Sequence, residues 1–561
     1  MSIIPLQMEY IQWHRRRLSE AMRRFQKTHT GPATMLLGFL FAHHWLKQEV
    51  HPQYLPQVAQ ILDHTDRLHP QASTWLIAAI TLDDLRLMAL VLEQLSSSSA
   101  PNARYDLTAL TGDRSQFIHD LLQDWENLGL FPTSQKKALR TLGVEEKAIF
   151  TDLGGGHDRK RVELVDQLPD SSPGAPSFAK MALIPRLSCP QSCRHCMFIW
   201  RPSLKASPDP RSLLPFINQS TTHLLLTGGD LTPDLELFYH AIATMDQITT
   251  FAILLNGRLA LSQQEAATFF VEVEHALKQR NFRSAQAKVL LQLSFDEFHQ
   301  EIIANRHGEL SERIPVACIA RLLMASAGYS GCQVALIHKQ NSLNFSTHVF
   351  EQGVFARLTR ELALHGWKIQ DILWQTSPRP KRHPVNPQHQ AGVIREAHVS
   401  MIGPKGKVSF YFISSCVDAM GRAKLLDRTE FVAESLLLEQ WLGGHPSPLP
   451  GPEPFDTDPM LWSNGHVTLF SASPMWMGNL LSEGPQIFTR WRKDPLLLAL
   501  QRLDRRLIFA HEAFDPQKHQ LLLAGATSPH HLLHSMIQEA DARLFLTRWL
   551  LDNKQKPSSS P

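Results

Sequence analysis

The sequence predicts an α/β protein: a partial (β/α)6 TIM-type barrel in the middle of the chain, preceded by an α-helical domain and followed by an α+β extension. Three observations carry this expectation. Short apolar runs alternate with helix-length stretches from about residue 180 to residue 425, the pattern of a parallel β/α architecture. Cysteines, glycines and short polar residues fall just after those runs, at the strand ends where barrels collect their chemistry. Before residue 167 the apolar residues recur instead at helical spacing. The boundaries read as 1–167, 178–425 and 426–561.

In chain order, the first helix carries an apolar stripe of Tyr10, Trp13, Leu18, Met22 and Phe25, with Arg15, Arg16, Arg17, Arg23 and Arg24 opposite it. That basic face suits a phosphate backbone, an acidic peptide or an acidic electron donor, or is simply solvated. The apolar run Ala33–Ala42 is too short to cross a bilayer and reads as a buried helix. Gly154, Gly155 and Gly156 lack the lysine and hydroxyl of a phosphate loop, and read as a hinge. Leu168–Ser177, rich in proline and serine, connects to the barrel.

The expected barrel strands are Lys180–Leu187, Thr222–Thr227, Thr250–Leu255, Lys288–Ser294, Cys332–Ile337 and Lys407–Ile413. Between the fifth and sixth lies Ser377–Pro387 with Arg379, Lys381 and Arg382, either a basic loop over the barrel mouth or a surface excursion. Gly443–Pro459, with six prolines, forms a second connection. Trp462–His466 reads as a hairpin turn entering a strand, Val467–Phe470. Helices follow, and the Lys-Gln-Lys-Pro-Ser-Ser-Ser-Pro tail reads as disordered.

Composition bounds the function. At 561 residues and 43% hydrophobic content the chain can bury a large core in two or three domains. A net charge of +3 argues against general nucleic-acid binding. With no apolar span of about twenty residues and no secretory signal, a soluble, cytoplasmic protein without membrane contact is expected.

Three of the six cysteines, Cys189, Cys193 and Cys196, share one short segment. Three thiolates on one loop can hold three corners of a four-iron cluster, leaving the fourth iron open to a ligand. A structural zinc site needs four closed ligands, usually as two pairs, and Cys318, Cys332 and Cys416 stand alone. A disulfide does not suit a reducing compartment. Zinc and redox thiols remain the competing readings.

The C-x3-C-x2-C loop resembles the cluster loop of the radical S-adenosylmethionine superfamily, and the resemblance spans about residues 180–425. It implies a [4Fe–4S] cluster on Cys189, Cys193 and Cys196 whose open iron chelates S-adenosylmethionine. Reductive cleavage of that cofactor would yield a 5'-deoxyadenosyl radical that abstracts a substrate hydrogen. Gly228-Gly229-Asp230, after the second strand, is similar to the Gly-Gly-Glu that holds the cofactor's amino group; Asp230 is one methylene shorter. Asn256 matches the Thr-Asn-Gly segment, or simply completes a turn. Ser294 and Asp296 match the Ser-x-Asp segment that meets the ribose or the carboxylate. His195 departs from the family, which usually has a carbocyclic aromatic before the last cysteine.

His338-Lys339 follows the strand whose backbone borders the adenine in relatives, and Gly421-Arg422-Ala423 resembles the segment after the last strand. His299 reads as an acid or base, or as a helix-start residue. Cys416 reads as a hydrogen donor or a packed thiol. Met477-Gly478-Asn479-Leu480 is similar to a segment in the C-terminal extension of peptide-modifying relatives. No cysteine follows Cys416, so an auxiliary cluster lacks its usual ligands. The resemblance thus implies a radical enzyme acting on a peptide or protein, with a small-molecule substrate as the rival, and a flavodoxin- or ferredoxin-type electron donor. A non-catalytic cluster-binding regulatory or scaffold protein is the reading from a different class.

Overall fold

The computed structural model describes residues 133–170, 176–201, 204, 209–281, 286–304, 310–340, 350, 353–382, 390–426, 432–444, 449–470 and 473–553. The stripe from Tyr10 to Phe25, the arginine face, the Ala33–Ala42 run and the tail lie outside these residues, as does the end of the Ser377–Pro387 segment.

An eleven-stranded sheet organises the chain. Its strands are β1 (Met181–Ile184), β2 (His223–Leu226), β3 (Thr250–Leu255), β4 (Lys288–Ser294), β5 (Cys332–Lys339), β6 (Lys368–Thr376), β7 (Ile394–Gly403), β8 (Gly406–Ser415), β9 (Pro459–Trp462), β10 (His466–Leu469) and β11 (Ser473–Asn479). The order is β11-β10-β9-β1-β2-β3-β4-β5-β8-β7-β6. Every pairing from β9 through β8 is parallel, and the outer strands on both flanks are antiparallel.

The four residues of β1 are all buried, and β2 and β3 are nearly so. Strands covered on both faces read as continuous apolar runs, which is why they stand out in the sequence. From β1 to β5 spatial order follows chain order, so crossovers of one hand return helices to one face. Accordingly, α3 (Leu235–Thr244), α4 (Gln263–Gln279), α5 (Val316–Ser326) and α6 (Gly353–Leu364) share one core with Met181, Leu183, Leu224 and Phe251. A capping box starts α4: Ser262 accepts from the Glu265 N–H at 3.2 Å, and Glu265 accepts from the Ser262 N–H at 2.7 Å.

The alternate residues of these strands point the other way. Ala182, Ile184, Leu225 and Ala252 form a second cluster with Leu187, Phe198, Met460 and Trp462. This face carries the cysteine loop.

The flanks depart from simple β/α alternation. Two antiparallel strands, β6 and β7, intervene before β8 rejoins the parallel set beside β5. The proline-rich run beginning at Gly443 carries the chain to β9, which pairs in parallel with β1 through Ala182 and Met460, Leu183 and Leu461, and Ile184 and Trp462.

Residues 154–156, read from the sequence as a hinge, form the tight turn between α1 (Thr133–Thr151) and α2 (Gly156–Asp166), with Gly154 at φ +76° and its N–H donating to Asp158. Two buried ion pairs fasten α2. Arg543, on α7 (Ala540–Asp552), bonds Asp158 at 2.7–2.9 Å through three contacts, and Arg161 pairs with Asp494. None of the described helices is long and apolar enough to cross a membrane.

Candidate functional site

Parallel strands place the residues that follow β1, β2, β3, β4, β5 and β8 at one edge of the sheet. The cysteine loop leaves β1 and folds over this edge. Cys193 is buried, while Cys189 and Cys196 are half-buried.

The Gly228-Gly229-Asp230 turn lies directly against the loop. The Gly229 N–H donates to the Arg186 carbonyl at 2.9 Å, and the Asp230 N–H to the Ser188 carbonyl at 3.0 Å. Gly228 has φ +141°, and a Cβ there would lie 2.4 Å from the Arg186 oxygen. A Cβ on Gly229 would lie 2.3 Å from the Ser188 oxygen. Both glycines are therefore required by the close approach of two backbones. Asp230 accepts from the backbone N–H and hydroxyl of Thr232 at 3.2 and 2.8 Å, which fixes its carboxylate near Cys189.

The loop is held from its other sides by residues that no spacing motif marks. Arg201 donates to the Cys189 and Gln191 carbonyls at 2.8 Å and to the Cys196 sulfur at 3.2 Å. Glu146, on α1, accepts from the backbone N–H groups of Ile199 and Trp200. Phe150 packs on Phe198 and Trp462. Glu301 joins Arg194 of the loop, at 2.7 Å, to Arg313, at 2.9 Å. After β8, the Arg422 N–H donates to the Cys196 carbonyl at 2.8 Å. A Cβ on Gly421 would lie 2.3 Å from the Met197 backbone.

Past β4, Asp296 is fully buried. Its Oδ1 accepts from the Phe298 and His299 N–H groups at 3.0 and 2.8 Å, and the His299 ring lies 3.0 Å from both carboxylate oxygens. His195 stacks on Phe298, with centroids 4.6 Å apart. Asp296 faces the cysteine loop, with His195 Nε2 3.7 Å from its Oδ2. Ser294 ends β4 half-buried, with its carbonyl accepting from Gln300. Asn256 accepts from the Arg258 N–H at 2.9 Å in a turn.

Burial dominates the electrostatics. It pushes the Cys193 thiol up to about 12 and raises Cys189, the latter opposed by the Gln191 N–H and Arg201. Burial lowers His195 to about 3, so its ring is neutral near pH 7. For Asp296 burial works toward the acid form, but His299 and His195 outweigh it and hold the carboxyl below the usual range.

Cys416, after β8, is set apart from the three thiols. Its sulfur lies 2.7 Å from the Lys381 ammonium and 3.5 Å from Gln340, and Lys381 also pairs with Glu434. A cleft of about 850 Å³ opens beside the loop, lined by Met197, Phe198, Ile199, Met420, Leu521 and Leu522 among others.

No known protein-family model and no curated protein matches this chain.

Proposed function

We propose that the chain is a radical S-adenosylmethionine enzyme built on a partial (β/α)6 barrel, with Cys189, Cys193 and Cys196 holding a [4Fe–4S] cluster. The observation that carries this reading is the seating of a three-cysteine loop on a Gly-Gly-Asp turn at the carboxyl edge of a parallel sheet. The donor set fits: three thiols on one loop supply soft ligands for three irons and leave one coordination position for an exchangeable cofactor. When bound, the cluster and S-adenosylmethionine together supply reductive cleavage of the sulfonium and hence a hydrogen-abstracting 5'-deoxyadenosyl radical.

The chain's own residues supply placement and shielding. Arg201 donates to the Cys196 sulfur and braces the loop backbone. Protonated thiols must lose protons to ligate, so the elevated Cys193 makes cluster assembly release protons. Asp230 is fixed beside Cys189 for the ammonium of the cofactor. Phe150, Phe198 and Trp462 keep water from one side of the loop. The neighbouring cleft has the size of a small-molecule or peptide-segment site, and we assign the substrate to it.

Iron and sulfide analysis of anaerobically reconstituted protein tests the reading. About four irons per chain, lost on replacing the three cysteines by alanine, are expected. A colourless zinc-loaded chain overturns it.

A further inference from the structure

We propose that His195, Asp296 and His299 form a second, mononuclear site for a divalent first-row transition ion. Among the described residues, these are the three whose donor atoms gather within 4.8 Å of one another. The pairwise geometry is already close: His299 Nδ1 lies 3.0 Å from Asp296 Oδ2, and His195 Nε2 lies 3.7 Å from the same oxygen. Two imidazoles and one carboxylate are the ligands that iron(II), cobalt(II) and zinc(II) accept with coordination positions left open.

Two further observations point to a cation here. Asp296 is completely buried, and its carboxylate accepts from two backbone N–H donors and lies against the His299 ring, with the His195 ring 3.7 Å away; among the described residues no lysine or arginine is bonded to it. A buried carboxylate is ordinarily paired with a full positive charge or coordinates a metal. The His195 side chain is nine-tenths buried, yet among the described residues its Nδ1 has no hydrogen-bond partner and its Nε2 stands beyond hydrogen-bonding distance from Asp296. Its ring is instead set by stacking on Phe298 and by edge contact with His299, at 4.6 Å in each case. The structure thus presents a ring aimed at a carboxylate it does not bond.

An ion bound here would take the place of the hydrogen bond between His299 Nδ1 and Asp296. The site is separate from the three thiols and does not require the cluster to be present. It would fasten the cysteine loop to the end of β4 through a metal instead of a ring stack.

Cobalt(II) titration of the full-length chain tests this. The Cys189→Ala, Cys193→Ala, Cys196→Ala triple variant removes thiolate binding, so any remaining cobalt spectrum reports nitrogen and oxygen ligands. One equivalent of cobalt with visible d–d absorption and no sulfur-to-metal charge-transfer band is expected. Adding His299→Ala should weaken binding at least about tenfold. If the triple variant is misfolded by circular dichroism, the comparison moves to the otherwise native chain, with and without His299→Ala. There, loss of one equivalent of cobalt with the thiolate band unchanged is expected. Absence of the d–d absorption, or binding that His299→Ala leaves unaltered, shows that the three residues make an ion pair only and overturns the proposal.

Discussion

His195, between two cysteines of the loop, lies with its Nε2 3.7 Å from Oδ2 of Asp296, beyond the end of β4. One contact therefore joins residues a hundred positions apart and ties the loop after the first strand to the end of the fourth. Both side chains are buried, and the ring is sandwiched against Phe298. Replacing His195 by alanine removes that stack and leaves a cavity beside a buried carboxylate. A loss of about 2–4 kcal/mol in unfolding free energy is expected from denaturant titration. A change below about 0.5 kcal/mol would show that the loop is held without it.

Gly229→Ala should act on the loop alone. The added Cβ would meet the Ser188 and Leu187 carbonyls at 2.3 and 2.5 Å, both main-chain atoms that cannot turn aside. The loop must shift, at a cost of about 1–3 kcal/mol. Iron retained after anaerobic desalting should fall, with the circular dichroism of the sheet and helices unchanged. Full retention of iron contradicts this account of the turn.

Asp158→Ala tests how the amino-terminal helices are anchored. Arg543 makes three contacts with this carboxylate, and both groups are buried. Removing one partner strands a buried guanidinium, which costs about 3–5 kcal/mol. Urea unfolding should show this loss, while the double variant with Arg543→Met should recover part of it. No recovery would place the cost elsewhere than in the stranded charge.

Stability should fall on mild acidification. Burial lowers His338 and His534 to about 4 each, against an ordinary value of 6.5. Between those values the unfolded chain binds more protons than the folded one. The stabilisation is therefore complete above about pH 6.5 and is lost as pH falls toward 4, at up to about 1.4 kcal/mol per pH unit for each ring. Asp458, raised to about 6 by burial and by Asp456, and Glu146, raised by burial, work in the opposite sense, but His195 and His511, lowered by burial to about 3 and about 4, add to the two rings. The urea midpoint should drop between pH 7 and pH 5. A midpoint that is flat or rises over this interval contradicts the assignment.

Much of the sheet is legible in the sequence for a physical reason. β1 to β3 are covered by helices on one face and, near β1, by the loop and Trp462 on the other, so their residues are nearly all apolar. β6 is not legible. Lys368 to Thr376 lies at the sheet edge with Leu373 and Trp374 exposed, so neither alternation nor a buried run marks it. β9 is four residues starting at the last proline of a proline-rich stretch, and its pairing with β1 joins residues far apart in the chain.

The site divides in the same way. Cysteines and paired glycines stand out because their chemistry is local: thiolates ligate, and glycines permit close approach. Arg201, Glu146 and Glu301 do not, because an arginine or an acid on a surface-like segment acquires its role only when distant backbone arrives beside it. At residues 154–156 three glycines read as freedom, and the sequence alone does not show that the turn they form is bonded to the Asp158 carboxylate of the helix that follows.

The most direct test is the formation of 5'-deoxyadenosine. Anaerobically reconstituted protein given dithionite and S-adenosylmethionine should release it, and the variant lacking all three thiols of the loop should release none and hold no cluster. A brown, iron-loaded protein that binds S-adenosylmethionine yet leaves it intact, or a triple variant that keeps its full chromophore, would contradict the account.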